Sequence, residues 1–158
     1  MRHLILLVVT LQMGCASTSP DPEACNFSGY SFCLKLPAEF KTVSSNEAVD
    51  FFVYSFRNVE AGYDIRIYEG NHPDLGRDPE VLDSYKKTLG EVTYLVETIR
   101  TKLSPYSVLL KRDDVRLPTT IHITTDASSN EAGAIDGVLR ALRGCREIAS
   151  VDSRCVLN

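Results

Sequence analysis

The chain has 158 residues, 44% of them hydrophobic and 24% charged, with a formal net charge of −4; this suits one ordinary globular domain. A mildly acidic chain without a basic cluster argues against nucleic acid as a partner. The familiar catalytic motifs are missing too: no Gly-x-Ser-x-Gly elbow, no His-Glu-x-x-His, no phosphate loop and no dinucleotide fingerprint occurs, so no cofactor and no catalytic residue is expected.

The chain opens with the short basic start Met1-Arg2-His3, an eight-residue apolar run from Leu4 to Leu11, and then Gln12-Met13-Gly14-Cys15. The run is too short to span a bilayer and reads as a signal peptide over residues 1–14. Gly14-Cys15 resembles the bacterial lipoprotein signal, in which a Leu, a small residue and Gly or Ala precede the Cys that is lipidated. Gln12 and Met13 depart from that pattern, although Leu11 lies one residue upstream. The resemblance implies a lipid on Cys15, a membrane as partner and, with Ala16 next, an outer-membrane address. The other reading is a plain secretory signal cut after Ala16, giving a secreted or periplasmic protein. Residues 15–24, with Ser17-Thr18-Ser19-Pro20, then read as a flexible tether to a domain over residues 25–158.

Setting Cys15 aside leaves Cys25, Cys33, Cys145 and Cys155, and four cysteines in an oxidising compartment imply two disulfides with three connectivities. The local pairing, Cys25 with Cys33 and Cys145 with Cys155, is expected. Their spacing suits no common zinc site, so no metal is expected there.

Taken in order, Tyr30–Leu36 alternates and reads as a first strand, and Phe40–Val43 as a short second one. Asp50–Arg57 and Tyr63–Tyr68 form a hairpin across a five-residue loop ending in Gly62, and this hairpin is expected to be the centre on which the rest packs. Tyr63, Ile65 and Ile67 give its second strand one apolar face. The first strand carries Phe51 and Val53 on one face and Phe52, Tyr54 and Phe56 on the other, so both faces call for cover. Asp78-Pro79 and Gly90 bracket Val81, Leu82, Tyr85 and Leu89 as a helix with an Asp cap and a Gly stop. Three strands follow, near residues 93–100, 106–111 and 119–125, with His122 on an exposed polar face. Ser128 to Glu131 fits a capping box, Ile135, Val138, Leu139 and Leu142 follow at helical spacing, and Gly144 is placed to end this last helix.

The expected fold is therefore α+β: an antiparallel sheet of five or six strands packed with two helices and stapled by disulfides. A Gly-aromatic strand ending at Pro37, a meander and a final helix also resemble the small Mog1/PsbP-type α/β sandwich. For function, the reading is an exported, lipid-anchored cell-envelope binding or assembly module, with another envelope protein as a partner. Its candidate surfaces are the aromatic face Phe52, Tyr54 and Phe56 and the turn-rich loop Gly70, Asn71, His72 and Pro73. The alternative is a small hydrolase or metal-dependent enzyme built on His72.

Overall fold

The computed structural model describes residues 25–90, 92–112, 120–127 and 130–144. Cys15, Ser128, Cys145 and Cys155 lie outside the described residues. In chain order the elements are β1 (Phe27–Ser28), β2 (Phe32–Leu34), β3 (Phe40–Glu47), β4 (Phe51–Asn58), β5 (Tyr63–Gly70), β6 (Glu80–Leu89), β7 (Val92–Arg100), β8 (Ser107–Lys111), β9 (Thr120–Thr125), α1 (Glu131–Ala141) and β10 (Leu142–Gly144).

The protein is thus mostly β, which corrects the expected α+β fold with two helices. Seven strands form one antiparallel sheet in the order β3-β4-β5-β9-β8-β7-β6, and β1-β2-β10 form a second, smaller one. The expected hairpin is present as β4 and β5, paired from Phe51 with Gly70 to Asn58 with Tyr63. It is not the centre: β9 is the middle strand, with β5 on one side and β8 on the other.

The segment expected as a helix after Asp78-Pro79 is the edge strand β6, paired with β7 from Glu80 with Arg100 to Leu89 with Val92. Asp78 has φ 54°, a left-handed turn conformation rather than that of an N-cap, and Gly90 has φ 61°. Pro and Gly punctuate strand ends as readily as helix ends. An edge strand needs no strict alternation, because solvent reaches both of its faces, so Val81, Leu82 and Tyr85 stand at helical spacing in a strand. Pairing along its whole length with β7 outweighs the local helical preference.

One face of the large sheet carries the core. Phe56, Ile65, Ile67, Ile123, Ile121, Val108, Leu110 and Val96 are fully buried on it. Two covers share this face. Helix α1 lies over β8 and β9, with Ile135, Val138 and Leu139 in the core cluster, rather than over the β4–β5 hairpin. The small sheet lies over β4: Phe27 meets Tyr54 and Phe56 edge-on at 5.2 and 4.8 Å, and Phe32 meets Tyr54 at 5.7 Å. The Cys25–Cys33 disulfide closes β1 onto β2, as the local pairing predicts.

The helix begins at Asn130, whose side chain accepts a hydrogen bond from the Gly133 N–H at 3.1 Å; the cap therefore sits two residues after Ser128. The helix stops at Ala141, and Leu142 turns directly into β10. Gly144 does not end the helix but belongs to β10, where a Cβ would stand 2.2 Å from the Leu89 carbonyl oxygen. That close approach fixes β10, and through it the small sheet, against the end of β6.

Candidate functional site

Gly70 ends β5 at the level of Thr120, Lys111 and Leu95 on the successive strands β9, β8 and β7. Glu80 begins β6 opposite Arg100, at the other end of the sheet's far edge. The connection 71–79 must therefore cross the sheet diagonally, and Asp74 shares a cleft with His122 on the face opposite the core. This strap gives the second face its cover. On this face Leu109 is 1% exposed and His122 7% exposed, on strands whose core-facing residues point the other way. The expectation that His122 is simply exposed is corrected by this burial.

Between the strap, the β7–β8 loop and the sheet lies a cleft of about 420 Å³. Its floor is built by alternate residues of three neighbouring strands: Val53 from β4, Arg66 and Tyr68 from β5, His122 and Thr124 from β9. Leu103 and Ser104 form one wall, held by a tight turn in which the Ser104 N–H donates to Thr101 Oγ1 at 2.9 Å and the Thr101 N–H donates to the Ser104 carbonyl at 2.8 Å.

Among the described residues three carboxylates line the cleft, and each has structural work. Asp64 pairs with Arg57 at 3.0 Å, Asp126 accepts from the Asp64 N–H, and Asp74 accepts from the Gly76 N–H at 3.0 Å. His122 differs. Its Nε2 is enclosed and has no hydrogen-bond partner among the described residues. Burial pushes its pKa down from 6.5 to about 4, against the pull of the Asp74 carboxylate, so the ring is uncharged at neutral pH.

The residues singled out in the sequence fall elsewhere. Phe52, Tyr54 and Phe56 point into the core face, where Phe52 stacks on Tyr30 at 5.1 Å and the other two pack on Phe27; they are not an open aromatic groove. Gly70 is buried, and a Cβ there would meet Phe51 Cβ at 2.8 Å. Asn71 and His72 are exposed at the start of the strap and Pro73 is half-buried. The His72 backbone N–H donates to the Tyr68 hydroxyl at 3.1 Å. Among the described residues no group of three or more His, Cys, Asp or Glu side chains is arranged to hold a metal ion, and no helix is long and apolar enough to cross a membrane.

A second buried polar group was not foreseen. Glu69 is fully buried on the core face, where its carboxylate accepts from the Tyr30 N–H at 2.9 Å, the Ser31 N–H at 2.6 Å, the Ser31 hydroxyl and the Tyr54 hydroxyl at 3.4 Å. Desolvation raises its pKa, the Ser31 hydroxyl opposing most strongly. This network ties the turn before β2 to β5 and lies apart from the cleft beneath the strap. Sequence could not single it out, since Glu69 breaks the apolar alternation of β5 by one residue at the point where a turn looked due.

Comparison with protein-family models, curated proteins and solved structures finds no match.

Proposed function

We propose that this protein is an exported, lipid-tethered binding module of a bacterial cell envelope, and that the cleft beneath the strap is its ligand site. The observation that carries the site is His122, an uncharged imidazole enclosed in the cleft floor with its Nε2 unpartnered among the described residues. Leaving a buried polar atom unpaired costs about 1–3 kcal/mol, and such groups concentrate where a ligand or ordered water completes them. The tether is supported by Gly14-Cys15 after a short apolar run, and the export by the Cys25–Cys33 disulfide.

The lining indicates the ligand's chemistry. Three carboxylates against the Arg66 guanidinium disfavour a polyanion. Hydroxyls of Thr124 and Ser104, the Arg66 donor and the Tyr68 ring suit a small hydroxylated molecule that both gives and accepts hydrogen bonds. Titrating the chain with glucose, N-acetylglucosamine and inorganic phosphate, and following backbone amide shifts, tests this. Saturable shifts at Arg66, His122 and Thr124 with a sugar, lost in His122→Leu, are expected. Shifts scattered over the surface, or confined to phosphate, would overturn it. For the tether, Cys15→Ser is expected to move the processed protein out of the membrane fraction, and retention after a high-salt wash would overturn that part alone.

A further inference from the structure

The two edges of the large sheet differ. β3 is exposed along Lys41–Glu47 and carries Lys, Thr, Ser, Ser, Asn and Glu with Val43 as its one large apolar residue. β6 is ten residues long, has β7 on one side, and exposes Val81 at 54%, Leu82 at 39% and Tyr85 at 43%. An edge such as this, unpaired among the described residues, offers its row of backbone N–H and C=O groups to another strand, and large apolar side chains beside it favour such pairing.

The charges on β6 select the partner. Its first half is acidic, with Glu80 and Asp83, and its second half basic, with Lys86 and Lys87. A second copy of β6 running antiparallel brings each acidic half against a basic half. Pleating narrows the register, because residues opposite each other across an antiparallel pair share a face. A strand opposed to itself must therefore be centred on a residue. Centring on Lys86 sets that lysine against itself, which repels. Centring on Ser84 sets Asp83 against Tyr85 and Lys86 against Leu82, pairing no charges. Centring on Tyr85 sets Asp83 against Lys87 twice, Ser84 against Lys86 twice, and the two Tyr85 rings against each other at the axis.

We infer that the chain self-associates through β6, in an antiparallel pair centred on Tyr85 that joins two large sheets edge to edge. The Lys87 site fits this. Its ammonium donates to the Leu139 carbonyl at 2.7 Å, and burial together with the Arg143 guanidinium holds its pKa below the usual lysine value; the second copy's Asp83 supplies a carboxylate that Lys87 lacks among the described residues. The Leu82 bulge, where the register with β7 shifts between Val81 and Asp83, limits the regular pairing to Asp83–Lys87. Such a patch is smaller than the standard interface of roughly 1,600 Å², so the dimer is a weak and reversible one.

Sedimentation equilibrium of the purified chain is expected to show a concentration-dependent monomer–dimer equilibrium. Asp83→Lys and Lys87→Asp alone should each weaken it about tenfold or more, and the double exchange should restore it, because opposite charges again face each other across the axis. Tyr85→Cys should form an intermolecular disulfide under mild oxidation, while Thr88→Cys, which lies beyond the paired stretch and away from its own copy, should not. Should Lys87→Asp fail to fold, the two cysteine variants still decide the register. A chain that stays monomeric at high concentration, or crosslinking at Thr88 instead of Tyr85, overturns the inference.

Discussion

Val53 and Phe56 stand three residues apart on β4 and point to opposite faces of one sheet, and their surroundings differ in kind. Phe56 is fully buried among Phe27, the β5 isoleucines and the small sheet. Val53 is half-buried in the cleft, next to Tyr68 and beneath a strap of irregular chain. The first face is covered by regular elements that present apolar stripes, so it packs densely and stays uniform in chemistry. The second is covered by loops, whose own polar backbone and carboxylates must be met, and a cleft with an uncharged histidine is what remains between them. The same sheet thus supplies stability on one side and recognition chemistry on the other.

The sharpest way to break this comparison is truncation on the shared strand. Phe56→Ala is expected to cost about 3–5 kcal/mol, from lost transfer energy and the cavity left in a surrounding that cannot collapse. Val53→Ala removes fewer atoms from a site that water already reaches, and should cost about 1 kcal/mol or less. Urea denaturation of both variants measures this. Equal losses would mean that the second face is packed as tightly as the first and that the cleft is closed in solution.

Acid titration separates the faces by sign. Between pH 4 and 6.5 the unfolded chain holds a proton on His122 that the folded chain has released, so this group's stabilising contribution is complete above 6.5 and is lost as pH falls through about 4. At about 1.4 kcal/mol per unit the full swing is on the order of 3 kcal/mol. Glu69 acts oppositely. Its folded pKa is raised from 4.5, so the folded chain keeps a proton that the unfolded chain loses, and stability declines as pH climbs from about 4.5 through the raised value. His122→Leu should therefore flatten or reverse the rise of stability between pH 4.5 and 6.5, and Glu69→Gln should steepen it. Stability measured by denaturant midpoint across this range decides the matter; identical profiles for the two variants would remove the electrostatic contrast between the faces.

Much of the strand content was legible because it rests on local pattern. Tyr63, Ile65 and Ile67 alternate and are placed on the core face as expected, and the three strands after Gly90 fall close to their predicted ranges. The last helix was legible from its apolar spacing, though its cap was set at Ser128 instead of Asn130 because Ser, Ser and Asn all make good caps and only the geometry chooses among them. β6 was misread because an edge strand takes its identity from its neighbour. The site was the least legible part. His122 lies between Ile121 and Ile123, a position that reads as the polar side of a half-exposed strand; its burial comes from the strap 71–79, and where an irregular connection crosses a sheet is a property of topology, not of nearby residues.

The smallest effect concerns how the core face keeps its cover. Asn130 Oδ1 accepts from the Gly133 N–H, and the Asn130 carbonyl accepts from the Ala134 N–H at 3.1 Å, so one residue satisfies two of the donors that open α1. Asn130→Ala removes the side-chain acceptor alone and should cost about 1 kcal/mol. Arg140→Ala, exposed on the same helix, should cost less. The location of the loss tells more than its size. Because α1 lies on β8 and β9 from the core side, fraying of its first turn should speed amide exchange at Gly133 and Ala134 while leaving Arg66 and Thr124, across the sheet, unchanged. If exchange in the cleft strands rose equally, the two faces would open as one unit, and the division between a stabilising side and a recognising side would fail at the level of local unfolding.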